Sequence, residues 1–291
     1  MVAVDIGGSH ISSIEVIDIT TGRVNGSLNV QHVDMSSDSG LEILDAWSSN
    51  MRKTIQAATS FDGNIAIAFP GPFDYEQGIV HNHQNGKFYA LQGMDIKMEL
   101  MKRIPECNAI HFENDAACFG LGEYDYSSNQ PGNKMIALTL GTGIGCSFID
   151  SGNVIRIGDS VPEGGEVYYL PFLKGIADEY FSTRWFVGKA KEYGYTVSGV
   201  KELIKRADKI SLRMIFDEFI SNFSEFFLPL SMQFNTDIIR IGGNIARAWD
   251  YFGNSIELLF REHQIEVSKS ELGELAICLG AARSFLLKQN R

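Results

Sequence analysis

The chain has 291 residues, 44% of them apolar and 21% charged, an ordinary composition for a folded protein that excludes a disordered or fibrous chain. Lys and Arg number 25 against 36 Asp and Glu, for a formal charge of −11. Such an acidic chain is a poor partner for nucleic acid or an anionic membrane, both of which need a dense basic surface.

Apolar patterning and turn residues predict strands at 2–6, 11–18 and 23–30, punctuated by Gly7-Gly8 and Thr21-Gly22. A helix is expected over 39–58, with apolar Leu41, Leu44, Ile55 and Ala58. A short apolar strand at 64–69 stops at Pro70-Gly71-Pro72. A helix at 95–103, a strand at 109–112 and a helix starting near Asn114 follow, since Asn and Asp cap helices well.

The second half begins again in the same style. Strands 135–140 and 144–150 flank Gly141-Thr142-Gly143, and helices are predicted at 175–193, 198–207 and 211–233. Strand 238–241 runs into Gly242-Gly243, and a last helix covers 271–288. Phe223, Phe226, Phe227 and Leu230 share a helix face and belong to a core. Strands alternating with helices place the chain in the α/β class.

Two stretches resemble each other across almost half the chain. Val4-Asp5-Ile6-Gly7-Gly8-Ser9 leads into an apolar strand ending Ile17-Asp18, and Leu140-Gly141-Thr142-Gly143 leads into one ending Ile149-Asp150. Each is a strand, a turn of glycine plus a hydroxyl residue, and a second strand, as in a duplicated domain. Such a turn suits phosphate, because backbone without Cβ approaches closely and aims N–H groups at anionic oxygens; either one alone is equally an ordinary hairpin. No G-x-x-x-x-G-K-[ST] loop occurs, and Gly141-Thr142-Gly143-Ile144-Gly145 has neither the spacing nor the following helix of a dinucleotide fingerprint.

Asp5, at a strand end beside the first turn, is either a turn cap or a Mg²⁺ ligand acting through water. Asp115 opens a helix whose dipole favours its ionised form. It is either a well-placed N-terminal acid or a base for a hydroxyl proton. Glu163-Gly164-Gly165-Glu166 puts carboxylates on a flexible loop, suited to sugar hydroxyls or plain solvation. Gly242-Gly243 permits either close approach of a flat ring or tight strand–helix packing. His81-x-His83 has no acidic or thiol partner nearby and is read as a surface loop.

In order and spacing, Asp5-Ile6-Gly7-Gly8-Ser9, Pro70-Gly71-Pro72, Glu113-Asn114-Asp115-Ala116-Ala117, Gly120-x-Gly122-Glu123, Leu140-Gly141-Thr142-Gly143-Ile144-Gly145, Gly165-Glu166, Ile241-Gly242-Gly243-Asn244 and Glu271-Leu272-Gly273 through Gly280-Ala281-Ala282 resemble the ROK family of bacterial sugar kinases. The resemblance implies two actin-like (ribonuclease H-like) ATPase domains with a cleft between them. The boundaries expected are 1–112, completed by the C-terminal helix 271–291, and 113–270. It also implies ATP-dependent phosphorylation of a hexose or amino sugar, with glucose the commonest expectation. Asp115 matches the catalytic base. Gly71, Asn114, Asp115 and Glu166 match sugar-binding positions. Gly7, Gly8, Ser9, Gly141, Thr142 and Gly143 match the phosphate motifs, Gly242 and Gly243 the adenosine pocket, and Asp5 the Mg²⁺ position.

The departures are specific. Tyr169 stands where the family often has a His, and no cysteine follows it until Cys278, so no structural zinc is expected. His10 replaces a frequent Lys, and Ser9 a Thr. The alternative is a catalytically weak sugar-binding regulator of the same family, although only four residues precede Asp5, which leaves no room for a DNA-binding helix pair. No apolar run approaches the ~18 residues of a membrane span, and Cys107, Cys118, Cys146 and Cys278 are scattered, as for reduced thiols. A cytoplasmic chain with a small-molecule sugar partner, no nucleic acid or membrane partner, and a possible homodimer is the expectation.

Overall fold

A computed structural model describes residues 1–81, 88–127 and 132–289. The chain divides into two compact units, Met1–Gly122 with Glu274–Arg291, and Glu123–Gly273.

In the first unit, β1 (Val2–Ile6), β2 (His10–Asp18) and β3 (Arg23–His32) form an antiparallel meander. Helix α1 (Gly40–Ala57) follows, its start capped by Ser39, whose side chain accepts the N–H of Glu42 at 3.3 Å. Ile43, Leu44, Trp47 and Met51 form its buried face; Leu41 lies on the solvent side, one residue off the stripe. Strand β4 (Asn64–Phe69) pairs parallel to β1, and the ribbon β5 (Phe73–Asp74) and β6 (Ile79–Val80) follows. Asp95 caps α2 (Ile96–Arg103) by accepting the N–H of Met98 at 2.8 Å. Strand β7 (Ala109–Asn114) then pairs parallel to β4 and runs directly into α3 (Asp115–Tyr126). The sheet order is β3-β2-β1-β4-β7.

Polar groups also tie this unit together. Ser13 of β2 donates to Asn50 Oδ1 of α1 at 2.6 Å. Glu15 of β2, buried, accepts the backbone N–H groups of Thr59 and Ser60 at 2.7 and 2.6 Å, and is bonded by Asn25 as well. A buried carboxylate needs such compensation, and here it fastens the turn after α1 to the sheet.

The second unit repeats the plan. Strands β8 (Lys134–Leu140), β9 (Ile144–Asp150) and β10 (Asn153–Ile155) form a meander, followed by the ribbon β11 (Pro171–Phe172) and β12 (Gly175–Ile176). The single helix expected over 175–193 is instead α4 (Ala177–Tyr180) and α5 (Thr183–Glu192). The break occurs where Thr183 turns its N–H and hydroxyl to the Gly141 carbonyl, at 2.7 and 2.8 Å. Helices α6 (Val200–Arg206) and α7 (Lys209–Phe234), strand β13 (Ile238–Gly242), helix α8 (Trp249–Arg261) and strand β14 (Glu266–Lys269) complete the unit, with sheet order β10-β9-β8-β13-β14. Phe223, Phe226 and Phe227 of α7 are buried with Phe181, Phe186, Phe216 and Phe219, while Leu230 packs partly buried at the edge.

The chain then re-enters the first unit as α9 (Glu274–Gln289), which begins three residues later than 271 because the Gly273 N–H caps onto Ser270 Oγ at 2.8 Å. It packs on β1 and β4, and with α1 on the sheet β1 is buried along its whole length. It also meets α3 at close range: a Cβ on Gly122 would strike the Ala276 carbonyl, and one on Gly280 the Cys118 carbonyl. Only glycine lets the two backbones approach so closely. All four cysteines are free and buried, and among the described residues no helix is long and apolar enough to cross a membrane.

Both sheets therefore combine a three-strand antiparallel meander with two further parallel strands in the same spatial order. The protein is α/β with two mixed five-strand sheets, the actin-like arrangement.

Candidate functional site

In an open sheet of this kind, ligands are met at the carboxyl ends of the parallel strands. In the first unit those ends belong to β1, β4 and β7, with Asp5 paired to Ala68 and Phe69 to Asn114. This register brings Asp5, Gly71, Asn114 and Asp115 to one edge.

Asn114 ends β7 and caps α3, its Oδ1 accepting the Ala117 N–H at 3.0 Å. Its own N–H is held by Glu113 Oε1 at 2.7 Å, and its Nδ2 donates to Tyr75 Oη at 3.2 Å. Behind it, Ser284 of α9 contacts Glu113 Oε2 at 3.3 Å and His111 Nε2 at 2.9 Å, so α9 braces the strand end. Asp115 is half-buried and accepts the Ala116 N–H at 2.9 Å. Burial raises its pKa, against the pull of the backbone N–H groups at the helix start. A base that is harder to ionise than a free carboxylate is a better proton acceptor once ionised.

Asp5 is buried, and its pKa is pushed up to about 8 by desolvation first and then by the negative charges of Asp115 and Glu274. The adjoining turn is closed by the Gly7 N–H on the His10 carbonyl at 3.0 Å, so this amide is engaged internally. Ser9 is exposed, and its hydroxyl lies 3.4 Å from His10 Nδ1.

In the second unit, Gly242 of β13 pairs with Thr139 of β8, which brings Gly242-Gly243 beside Gly141-Thr142-Gly143. Gly243 has φ +86° and its missing Cβ would meet the Leu140 carbonyl, so side chains are excluded there on both counts. The Gly141 N–H closes its turn on the Gly143 carbonyl at 3.0 Å. Asp178 Oδ1 accepts the Ile144 N–H at 2.9 Å, and its other oxygen is paired with Arg184. Sequence reasoning missed Tyr75, Asp178, Thr183 and Arg184, whose contacts arise only when distant segments fold together.

Glu166, half-buried, also belongs to the second unit, where its charge raises the pKa of the Cys146 and Tyr168 side chains after their burial does. Tyr169 donates its hydroxyl to the Glu163 carbonyl at 2.9 Å, which fastens the loop carrying Glu166. His81 is exposed; His83 lies outside the described residues.

A sequence profile of the ROK family matches residues 1–283. The chain belongs to the ROK family. Among curated relatives, it is 28% identical to a glucokinase of Thermotoga maritima over 63% of this chain and 64% of that protein, so the match spans less than two thirds of the relative's length. It is 23% identical to an N-acetyl-D-glucosamine kinase of Mannheimia succiniciproducens over 98% of both chains. Among solved structures, a ROK family glucokinase from Streptomyces griseus, in complex with glucose and AMPPNP, shares the fold with a TM-score of 0.76 at 20% identity, covering 98% of each chain.

Proposed function

We propose that this ROK protein is an ATP-dependent kinase for a hexose or amino sugar, with Asp115 as general base. The observation that carries the reading is the juxtaposition of Asn114 and Asp115 at the carboxyl edge of the first sheet, where the buried Asp5 also lies near the end of its strand.

In the first unit Gly71 and Asn114 hold sugar hydroxyls; in the second, Glu166 is the candidate for the same chemistry. Asp115 accepts the proton of the reacting hydroxyl while its oxygen bonds to the γ-phosphorus of ATP and ADP leaves with the electron pair of the broken P–O bond. The products are a sugar phosphate, ADP and a proton. Gly7, Gly8 and Ser9 are the phosphate turn of the first unit; in the second unit Gly141, Thr142 and Gly143 are the phosphate turn and Gly242-Gly243 accommodate the adenosine. The amides of Gly7 and Gly141 close their own turns, so these two glycines contribute space, and the donors come from their neighbours. Phosphoryl transfer needs little covalent help, so this positioning carries most of the rate.

A Mg²⁺ ion, when bound with the nucleotide, supplies charge neutralisation for the transferring phosphate. Asp5 fits such an ion: its carboxyl is held above its ordinary range by burial and by two neighbouring acids, a state that a nearby cation relieves. Among the described residues no three His, Cys, Asp or Glu side chains converge as a metal cage. Asp5 would act through water, as suits an ion that keeps much of its hydration.

The test is an ADP-release assay across hexoses and N-acetylhexosamines, with and without Mg²⁺. Sugar-dependent ADP release is expected. Sugar binding with no ADP release would contradict the kinase reading and make the protein a sugar-responsive regulator.

A further inference from the structure

Tyr75 sits in the turn between β5 and β6, and its hydroxyl bonds to two parts of the acceptor side of the first unit. It donates to the Phe69 carbonyl at the end of β4, at 3.2 Å, and receives Asn114 Nδ2 at 3.2 Å. A Cβ on Gly71 would come within 3.5 Å of the same oxygen. The ring stands edge-on against Phe73 with centroids 5.3 Å apart, and Phe73 packs on Phe69 and Phe112, so the phenol is anchored in the core.

A phenol has one proton. With that proton committed to the Phe69 carbonyl, the oxygen can only accept toward Asn114, which therefore must present its NH₂ group there. At the other end of the same amide, the Ala117 N–H demands the carbonyl oxygen. The two constraints agree, and the amide has a single orientation. Among the described residues its second N–H has no partner, and it is the donor left for a ligand.

We propose that Tyr75 is a positioning residue of the acceptor subsite, locking the Asn114 amide so that it offers an N–H donor to a sugar hydroxyl close to the one Asp115 deprotonates. The inference rests on the kinase reading above and adds a polarity to it. The sugar oxygen at Asn114 is read as a hydrogen-bond acceptor, so its own proton is free to point elsewhere.

The test compares wild type, Tyr75→Phe, Asn114→Ala and the double variant, with KM for the best sugar, KM for ATP and kcat measured for each. Removing one hydroxyl keeps the ring packing, and circular dichroism and the thermal midpoint confirm the fold. Tyr75→Phe is expected to raise the sugar KM about five- to tenfold, with ATP KM unchanged and kcat within about threefold. A role in packing alone would lower the midpoint and leave the sugar KM unmoved. Because Tyr75 acts through Asn114, the double variant should be no worse than Asn114→Ala, within about twofold. The polarity has its own readout in a series of deoxy and deoxyfluoro sugars. At one position fluorine, which accepts weakly but cannot donate, should restore part of the affinity lost on deoxygenation, and this restoration should vanish in Asn114→Ala.

Wild-type turnover with an unchanged Tyr75→Phe sugar KM, or additive losses in the double variant, would overturn the inference alone. Absence of both sugar binding and turnover in wild type would overturn the kinase reading and the inference with it.

Discussion

Asp178 and Ile144 are joined by a hydrogen bond of 2.9 Å from backbone N–H to carboxylate, and the same Asp178 oxygen lies 2.8 Å from where a Cβ on Gly143 would stand. The second glycine turn is thus held from outside by a side chain of α4, which is itself neutralised by Arg184. Asp178→Ala should loosen the turn and raise KM for ATP about tenfold, since a backbone donor loses a charged acceptor worth roughly 1.5–3 kcal/mol. The sugar KM should change little. Steady-state kinetics at varied ATP check this, and an unchanged ATP KM would show that the turn keeps its shape without Asp178.

Glu15 ties acid stability to one carboxylate. Burial opposes its ionisation, but the Thr59 and Ser60 N–H groups, with Asn25 and the Ser60 hydroxyl, outweigh it and hold the pKa at about 2, below the ordinary 4.5. Above 4.5 the group is ionised in both folded and unfolded chains, and its stabilisation is fully present. As pH falls from 4.5 toward 2 the unfolded chain takes up the proton first, and that stability is lost. Glu15→Gln should lower the urea midpoint at pH 7 and flatten the decline between pH 4.5 and 2. Parallel pH profiles for the two proteins would assign the acid sensitivity to other groups.

Two glycine-to-alanine changes should act in opposite directions. Gly280→Ala drives a methyl into the Cys118 carbonyl and should cost about 1–3 kcal/mol by overpacking. Gly188 lies inside α5 with nothing within 4 Å of where a Cβ would stand, so Gly188→Ala should stabilise by about 0.5–1 kcal/mol through the unfolded chain. Urea denaturation of both reports the signs; equal effects would contradict the close α3–α9 approach.

Much of the fold is legible from apolar patterning. The strands at 2–6, 64–69 and 144–150 are found with those bounds, and the hairpin repeat appears as two sheets of one plan. Strand β14 escapes notice because only Val267 in it is buried, leaving no alternation to read. Helix α8 follows a 3₁₀ turn that hides its start. The break at Phe181-Ser182 has no local signal, since it is set by the Gly141 carbonyl, far away in sequence. The same holds for the candidate site. Asn114 and Asp115 are visible as a helix cap and its first acid, whereas Tyr75 and Thr183 look ordinary until the chain folds them onto Asn114 and Gly141.

The proposed reaction turns on Asp115 taking the proton of the sugar hydroxyl. Asp115→Asn keeps the shape and the acceptor for the Ala116 N–H but removes the basic oxygen. Measured with the best sugar of the panel, kcat should fall about 10²–10⁴-fold while calorimetry finds the sugar bound within about threefold of the wild-type affinity. Near-normal kcat in this variant would contradict the role of Asp115 as the base.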